Sequence, residues 1–386
     1  MDVELPPSDY IQSLASSGDA SLRPLLERMA LLHQQKLWYQ LTITTQELLA
    51  QPASRPFQVD LWQHFISSFA KNMNQLKLAH IAVIIAQQYP SKEQGLTFLA
   101  DLAHELADDP NTVEAFALVD VEAAHYRLLL GQVDDAQKSV QANEKRLEAL
   151  DKVDNSVYAS FYRVSADLHK AKAEYSEFYN TSLLYLACID IDTELAPSQR
   201  VERAHDLAIA ALLGETIYNF GELLLHPVLA SLNAPPYEWL YQTLFVFNEG
   251  AIGKFDALSP QFEKEPILQM PAASLRQKIC LMALIDLIFQ KPAGNRVLSF
   301  SDVATHTTLP ENEVEHLIMK ALSLKLIVGT IDQVSRTISV SWVQPRVLDR
   351  QQIGGMGQRL AAWSDQVNQS ASLMLEGGGT ELFAAA

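Results

Sequence analysis

Apolar side chains recur at intervals of three and four from Leu22 to about Phe289, almost without a break. In LWQHFISSFAKNMNQL, the residues Leu61, Phe65, Phe69, Met73 and Leu76 fall on one face of a single amphipathic helix. Leu78, Ala82, Ile85 and Ala86 continue the pattern, and Pro90 ends it. Further on, the punctuation itself repeats. Gly131, Ala173, Gly214 and Gly250 each close a helical run, and they stand 42, 41 and 36 residues apart. A few residues after each comes an apolar side chain (Ala136, Phe178, Phe220 and Phe255) placed to pack the start of the next helix. One such helix pair cannot bury its apolar face alone. The pattern therefore predicts a stack of helix–turn–helix pairs, a right-handed α-solenoid.

After Pro260, Pro266 and Pro271, which mark a loop-rich link, LRQKICLMALIDLIFQKP reads as a strongly apolar helix ending before Pro292. The period then changes. Ser299 or Ser301 caps a short helix. A second begins at Pro310, with acidic residues in its first turn and Lys320 and Lys325 toward its end, the charge order a helix dipole favours. Val314, Leu317, Ile318, Ala321 and Leu322 form its buried face. Leu326 to Ile331 and Thr337 to Trp342 read as strands around the turn DQVSR, so the segment predicts a winged helix. A last helix starts near Leu348. Ile353, Met356, Leu360, Trp363, Val367 and Met374, with Ser370 in register, mark a heptad seam that calls for partner helices. Gly354, Gly355 and Gly357 weaken its first turns by roughly 1 kcal/mol each.

The chain has 386 residues, a net charge of −17 and 48% hydrophobic residues, which suits two or three domains with a sizeable core. So acidic a surface repels phosphate backbones and anionic membranes and suits protein partners. No apolar run approaches the ~18–20 residues that span a bilayer, and the acidic start MDVELPPSDY lacks a signal-type apolar region. Cys188 and Cys280 lie in helical apolar patterns and read as reduced, buried and structural. The expected compartment is the cytoplasm and nucleus.

A search for catalytic chemistry returns fragments. HELAD begins like a zinc-protease motif, but Asp108 stands where the second histidine belongs. IGGMGQRL lacks the Lys-Ser/Thr of a phosphate loop, and Leu360 replaces the third glycine of a dinucleotide fingerprint. The ten histidines are scattered singly. No catalytic residue, metal ligand or cofactor is expected, and the chain does not read as an enzyme. A winged helix that reads nucleic acid is the serious rival. Its recognition helix would put Glu311, Glu313 and Glu315 where base edges are met, with only Lys320 and Lys325 farther on and a wing offering one Arg and one Asp. Neither nucleic acid nor membrane is an expected partner.

An α-solenoid that runs into a winged helix and ends in a long helix resembles the PCI domain, shared by the proteasome lid, the COP signalosome and translation initiation factor three. KLWYQLT, YNFGELLLHPVL, IMKALSLKLIVGTIDQV and WVQPRVLDRQQI resemble the proteasome non-ATPase regulatory subunit thirteen family, from about Leu31 to Val367. The resemblance implies an all-α dominated fold: tetratricopeptide-like helical pairs, then a winged-helix PCI module with a small β-ribbon, then a C-terminal helix. On this reading residues 1–20 are a flexible N-terminus, 21–180 the solenoid and 181–345 the PCI domain, divided into helical 181–292 and winged helix 297–345. Residues 346–375 are a bundle helix and 376–386 a disordered tail. The implied function is a non-catalytic scaffold of the 26S proteasome regulatory-particle lid, in a hetero-oligomer with other PCI and MPN-type subunits. Ile331, Thr337, Ser339 and Val340 would lie on or near the ribbon edge that meets a neighbouring winged helix, or, for Val340 and Trp342, cap the domain's own core. Leu360, Trp363, Val367 and Met374 would anchor the last helix among its partners, or pack back on the solenoid. Membership of another PCI complex and nucleic-acid binding are the alternatives.

Overall fold

Helix follows helix through most of the chain, and the way each one ends explains the stacking. The computed structural model describes residues 7–17, 22–107, 112–269, 271–291, 296–345 and 350–376. They divide into two units, Met1–Ala196 and Pro197–Ala386.

The first unit holds α1 (Pro7–Ser17), α2 (Arg23–Gln34), α3 (Trp38–Leu49), α4 (Gln75–Ala86), α5 (Lys92–Leu106), α6 (Val113–Leu129), α7 (Val133–Glu148), α8 (Asn155–Ala171) and α9 (Tyr175–Cys188). α6 packs against α4 and α8 as well as against α5 and α7, and α8 against α9. This is the layered stack the repeat predicted. The sharp turns share one device. Gly131, Ala173 and Lys36 take left-handed backbone, with φ of 81°, 58° and 56°. The next N–H in each case reaches back five residues: Gln132 to Arg127, Glu174 to His169 and Leu37 to Leu32, at 2.9, 3.0 and 3.1 Å. These are Schellman closures, which satisfy carbonyls orphaned at a helix end. Five residues beyond each turn a side chain is buried: Ala136, Phe178 and Leu41. The α2–α3 turn at Lys36 is thus a copy that the spacing of small residues could not reveal, because a lysine occupies the position.

The single helix expected over Leu61–Leu76 is broken. Leu61, Phe65, Phe69 and Met73 are buried as the spacing required, but Trp62–Ile66 forms a π-helical turn and Ala70–Asn72 a 3₁₀ turn. Asn74 then starts α4 afresh by accepting from the Lys77 N–H at 3.1 Å, a cap that competes with helix continuation. Part of the expected flexible N-terminus is also structured: Pro7–Ser17 is helical, and Ile11 is fully buried in the first unit's core. The domain boundary expected at 180/181 falls inside α9; the two units divide at Ala196/Pro197. Cys280 is buried as expected, whereas Cys188 is only half-buried at the end of α9; both are free thiols.

The second unit comprises α10 (Pro197–Leu213), α11 (Glu238–Glu249), α12 (Ile252–Leu258), α13 (Ala272–Gln290), β1 (Val297–Ser299), α14 (Phe300–Thr307), α15 (Glu311–Ser323), β2 (Ile327–Asp332), β3 (Thr337–Val343) and α16 (Arg350–Glu376). α13 is its central core helix, with Ile279, Met282, Ala283, Leu284 and Ile288 fully buried. Gly250, at φ 67°, closes α11 directly against it: a Cβ there would meet the Ala283 Cα at 2.7 Å. Gly214, expected to make a like turn, is not left-handed; a turn at Glu215–Thr216 and a stretch without regular structure follow α10 instead. Here an unanticipated residue takes over. Lys278 of α13, 5% exposed, points its ammonium at the carbonyls of Ala211, Leu212 and Gly214, at 2.7, 3.1 and 2.7 Å. It also faces the rings of Tyr218 and Phe220. Burial pushes its pKa down to about 7. Three carbonyl acceptors nevertheless match the three N–H donors of the charged form at the negative end of α10.

Candidate partner-docking surfaces

The winged helix is built as the sequence implied, with one strand more. Ser299 caps α14 by accepting from the Asp302 N–H at 3.1 Å. Val314, Leu317, Ile318 and Ala321 bury one face of α15, with Leu322 half-buried beside them. The sheet has the order β1-β3-β2, all antiparallel.

That order changes where the candidate residues stand. β3 is central: Thr337 and Ser339 pair with Ser299 and Val297 on one side and with Asp332 and Thr330 on the other. The Val340 N–H donates to the Arg296 carbonyl at 3.0 Å. Thr337, Ser339 and Val340 are therefore not at a free edge. Three residues, Val297–Ser299, cover it, too short a run to show a period. Val340 is 6% exposed and belongs to the domain's own core. Ile331 does lie on an outer strand, since β2 pairs only with β3 among the described residues. The register slips between Val328 and Gly329, leaving Ser341 as an extra residue whose Oγ donates to the Val328 carbonyl at 3.0 Å. Past this bulge Trp342 pairs with Val328. Both are exposed, on the same outer face as the exposed Val297, so the sheet shows three large apolar side chains to solvent. Trp342 is not a core cap. Val297 and Val328 were missed in the sequence; for Val328 the alternation with buried neighbours along β2 was the available signal.

The wing folds onto α15. Asp332 accepts from the Ser335 hydroxyl and from the Ser335 and Val334 N–H groups at 3.2 and 3.0 Å, which together hold its carboxyl below the usual range. Arg336, the wing's arginine, donates to Glu311 at 3.1 Å, and Gln333 donates to Glu315 at 3.2 Å. The wing's cation is thus held by an acid of the would-be recognition helix.

α16 is the other surface. Every side chain from Met356 to Met374 is exposed. Leu360, Trp363, Val367 and Met374 show 60, 64, 47 and 74% of their area and follow one heptad seam. None of the four is buried. A helix with three early glycines and only Arg350, Arg359, Asp365 and Glu376 charged has little stabilisation of its own from ion pairs. An exposed apolar stripe of this kind is a common mark of an interaction surface. Among the described residues no group of His, Cys, Asp and Glu could hold a metal ion, and no helix is long and apolar enough to cross a membrane. His104 and Glu105 are exposed, and Asp108 of the same motif lies outside the described residues, as do 346–349 and 377–386.

Residues 25–244 match the PSD13 N-terminal repeats, 256–342 the PCI domain and 346–377 the Rpn9 C-terminal helix. The chain belongs to the Rpn9/PSD13 family of proteasome regulatory subunits. Among relatives of this Rpn9-family chain, the probable 26S proteasome regulatory subunit rpn9 of Schizosaccharomyces pombe is 39% identical over 95% of both chains. The 26S proteasome non-ATPase regulatory subunit 13 homolog A of Arabidopsis thaliana is 37% identical over 97% of this chain and 99% of its own. The 26S proteasome regulatory subunit RPN9 of Saccharomyces cerevisiae is 36% identical over 94 and 95%. The match to the Rpn9 C-terminal helix covers the whole of α16, so the exposed seam belongs to a segment that the family defines.

Proposed function

We propose that this chain is a non-catalytic scaffold and assembly subunit of the 26S proteasome regulatory-particle lid, supporting ubiquitin-dependent degradation in the cytoplasm and nucleus. Its partners are other lid subunits of PCI and MPN type. α16 enters a shared helix bundle through Leu360, Trp363, Val367 and Met374. The winged helix meets a neighbour along the β2 edge at Ile331, with Thr337 and Ser339 on the adjoining outer face and Val340 supporting it from the core. The observation that carries this reading is the continuous exposed seam of α16, in a chain whose relatives are named as proteasome regulatory subunits.

The test is native size. An N-terminally tagged full chain, purified gently with ATP, should migrate in a large particle with peptidase activity, and a chain truncated after Arg350 should not. Trp363→Ala is the finer probe. A Trp side chain offers ~200 Å². With 64% of Trp363 exposed, burial in a bundle removes about 130 Å² from water, worth ~3 kcal/mol. Incorporation should weaken by about a hundredfold. Unchanged incorporation of both variants would refute the bundle assignment.

A further inference from the structure

A cleft of about 430 Å³ opens in the first unit where α4, α6 and α8 meet. One part of its lining is apolar, with Val83 and Ala86 of α4, Pro90 in the turn beyond it and Leu129 of α6, and Gln87 and His125 line it too. Its floor is charged. Glu122 of α6 is 3% exposed, and it accepts from Arg163 of α8 in a closely held ion pair. Helices in a stack can pack without such a pair, and taking both charges out of water costs several kcal/mol per ion.

The pair also leaves hydrogen-bonding capacity unused. A guanidinium has five N–H donors, and among the described residues Arg163 donates to Glu122 alone. The carboxylate accepts through Oε1 only. Donors and an acceptor therefore stand side by side in a cleft that also offers an apolar patch. That is the complement of a peptide amide, whose N–H and C=O present the opposite pair. Lys92 stands at the rim. Glu122 offsets Arg163, so the cleft keeps a positive charge on a chain whose net charge is −17.

We propose that this cleft binds an extended segment of a partner protein in which a large apolar side chain is followed by a carboxylate. The apolar side chain fills the space between Val83, Pro90 and Leu129, its amide pairs with Glu122 and Arg163, and the carboxylate meets Lys92. The volume lies within the ~300–1,000 Å³ of ordinary ligand clefts and suits one large side chain with its flanking amides. The site is distinct from α16 and the sheet face.

The experiment is a methyl NMR titration of the full chain with the acetylated, amidated pentapeptide Ser-Phe-Asp-Gly-Ser. The expected result is saturable shifts confined to the methyls of Val83, Ala86 and Leu129. Replacing Asp by Asn in the peptide should weaken binding about tenfold, the loss of one charge-assisted contact, and replacing Phe by Gly should abolish it. Lys92→Ala should weaken the Asp peptide to the level of the Asn peptide and leave the latter unchanged. Leu129→Arg, a change at a half-exposed rim position, should remove binding with no loss of melting temperature. Trp363→Ala should leave binding untouched, which separates this site from the bundle. Absence of saturable shifts at millimolar peptide, or shifts that persist in Leu129→Arg, would overturn the proposal.

Discussion

Lys278→Met removes a charge from the core of the second unit while keeping a side chain of similar length. In the wild-type chain the ammonium serves three carbonyls, at 2.7, 3.1 and 2.7 Å, that α10 and the turn after it leave without helical partners. The Gly214 carbonyl keeps the Ile217 N–H at 3.4 Å, so the change orphans the Ala211 and Leu212 carbonyls, each costing ~1–3 kcal/mol, partly offset because a buried charge no longer has to be desolvated. Taking ~1.5 kcal/mol for each of the two, the loss is about 3 kcal/mol. Lys278→Ala adds a cavity and should cost about 2 kcal/mol more. The assay is hydrogen exchange of the backbone amides in the last turn of α10, read in the full chain. About 3 kcal/mol corresponds to exchange on the order of a hundredfold faster, with α4 to α8 of the first unit as the internal control. If the Met variant exchanges within fivefold of wild type, the lysine is not what closes α10, and the reasoning fails.

The remaining expectations are local. Gly131→Ala and Gly250→Ala form a matched pair, since both residues are left-handed but only Gly250 abuts another helix backbone. The first should cost about 1 kcal/mol and the second ~2–4 kcal/mol, and equal losses on denaturant unfolding would refute the close approach to α13. His205 stands 3.7 Å from Asp206 and 3.0 Å from Glu265, and the two carboxylates hold its pKa above the ordinary 6.5. Its contribution to stability is then fully present below about pH 6.5 and is lost as pH rises through the raised folded-state value. Thermal melts across that window should show the loss in wild type and not in His205→Gln; parallel profiles would exclude the clamp.

Periodicity was legible wherever one face of a helix is buried against its own neighbours. The faces of α4 and α15 and the copies at Gly131, Ala173 and Gly250 stand where the spacing put them. It failed where local hydrogen bonding overrode it. The Asn74 cap splits what reads as one amphipathic run, and Lys36 makes a left-handed turn in the place where a glycine would have advertised it. The missing strand had another cause. Val297–Ser299 is three residues long, and its pairing with β3 is a contact across some 40 positions that no local pattern encodes.

The docking surfaces divide in the same way. The heptad seam of α16 is a property of sequence spacing along one helix, and it stands as an exposed stripe from Met356 to Met374. The sheet needed the fold. Whether Thr337 or Ile331 stands at an edge depends on which strand is central, and Trp342 reaches the outer face only because Ser341 bulges. The Glu122–Arg163 floor joins residues 41 positions apart on helices whose own patterns are merely amphipathic. By itself the sequence determined helix, turn, wing and seam, because those follow from side-chain spacing along one element. Only the tertiary structure decided edges, clefts and the lysine that closes α10, because each is made by groups that meet solely when separate elements pack.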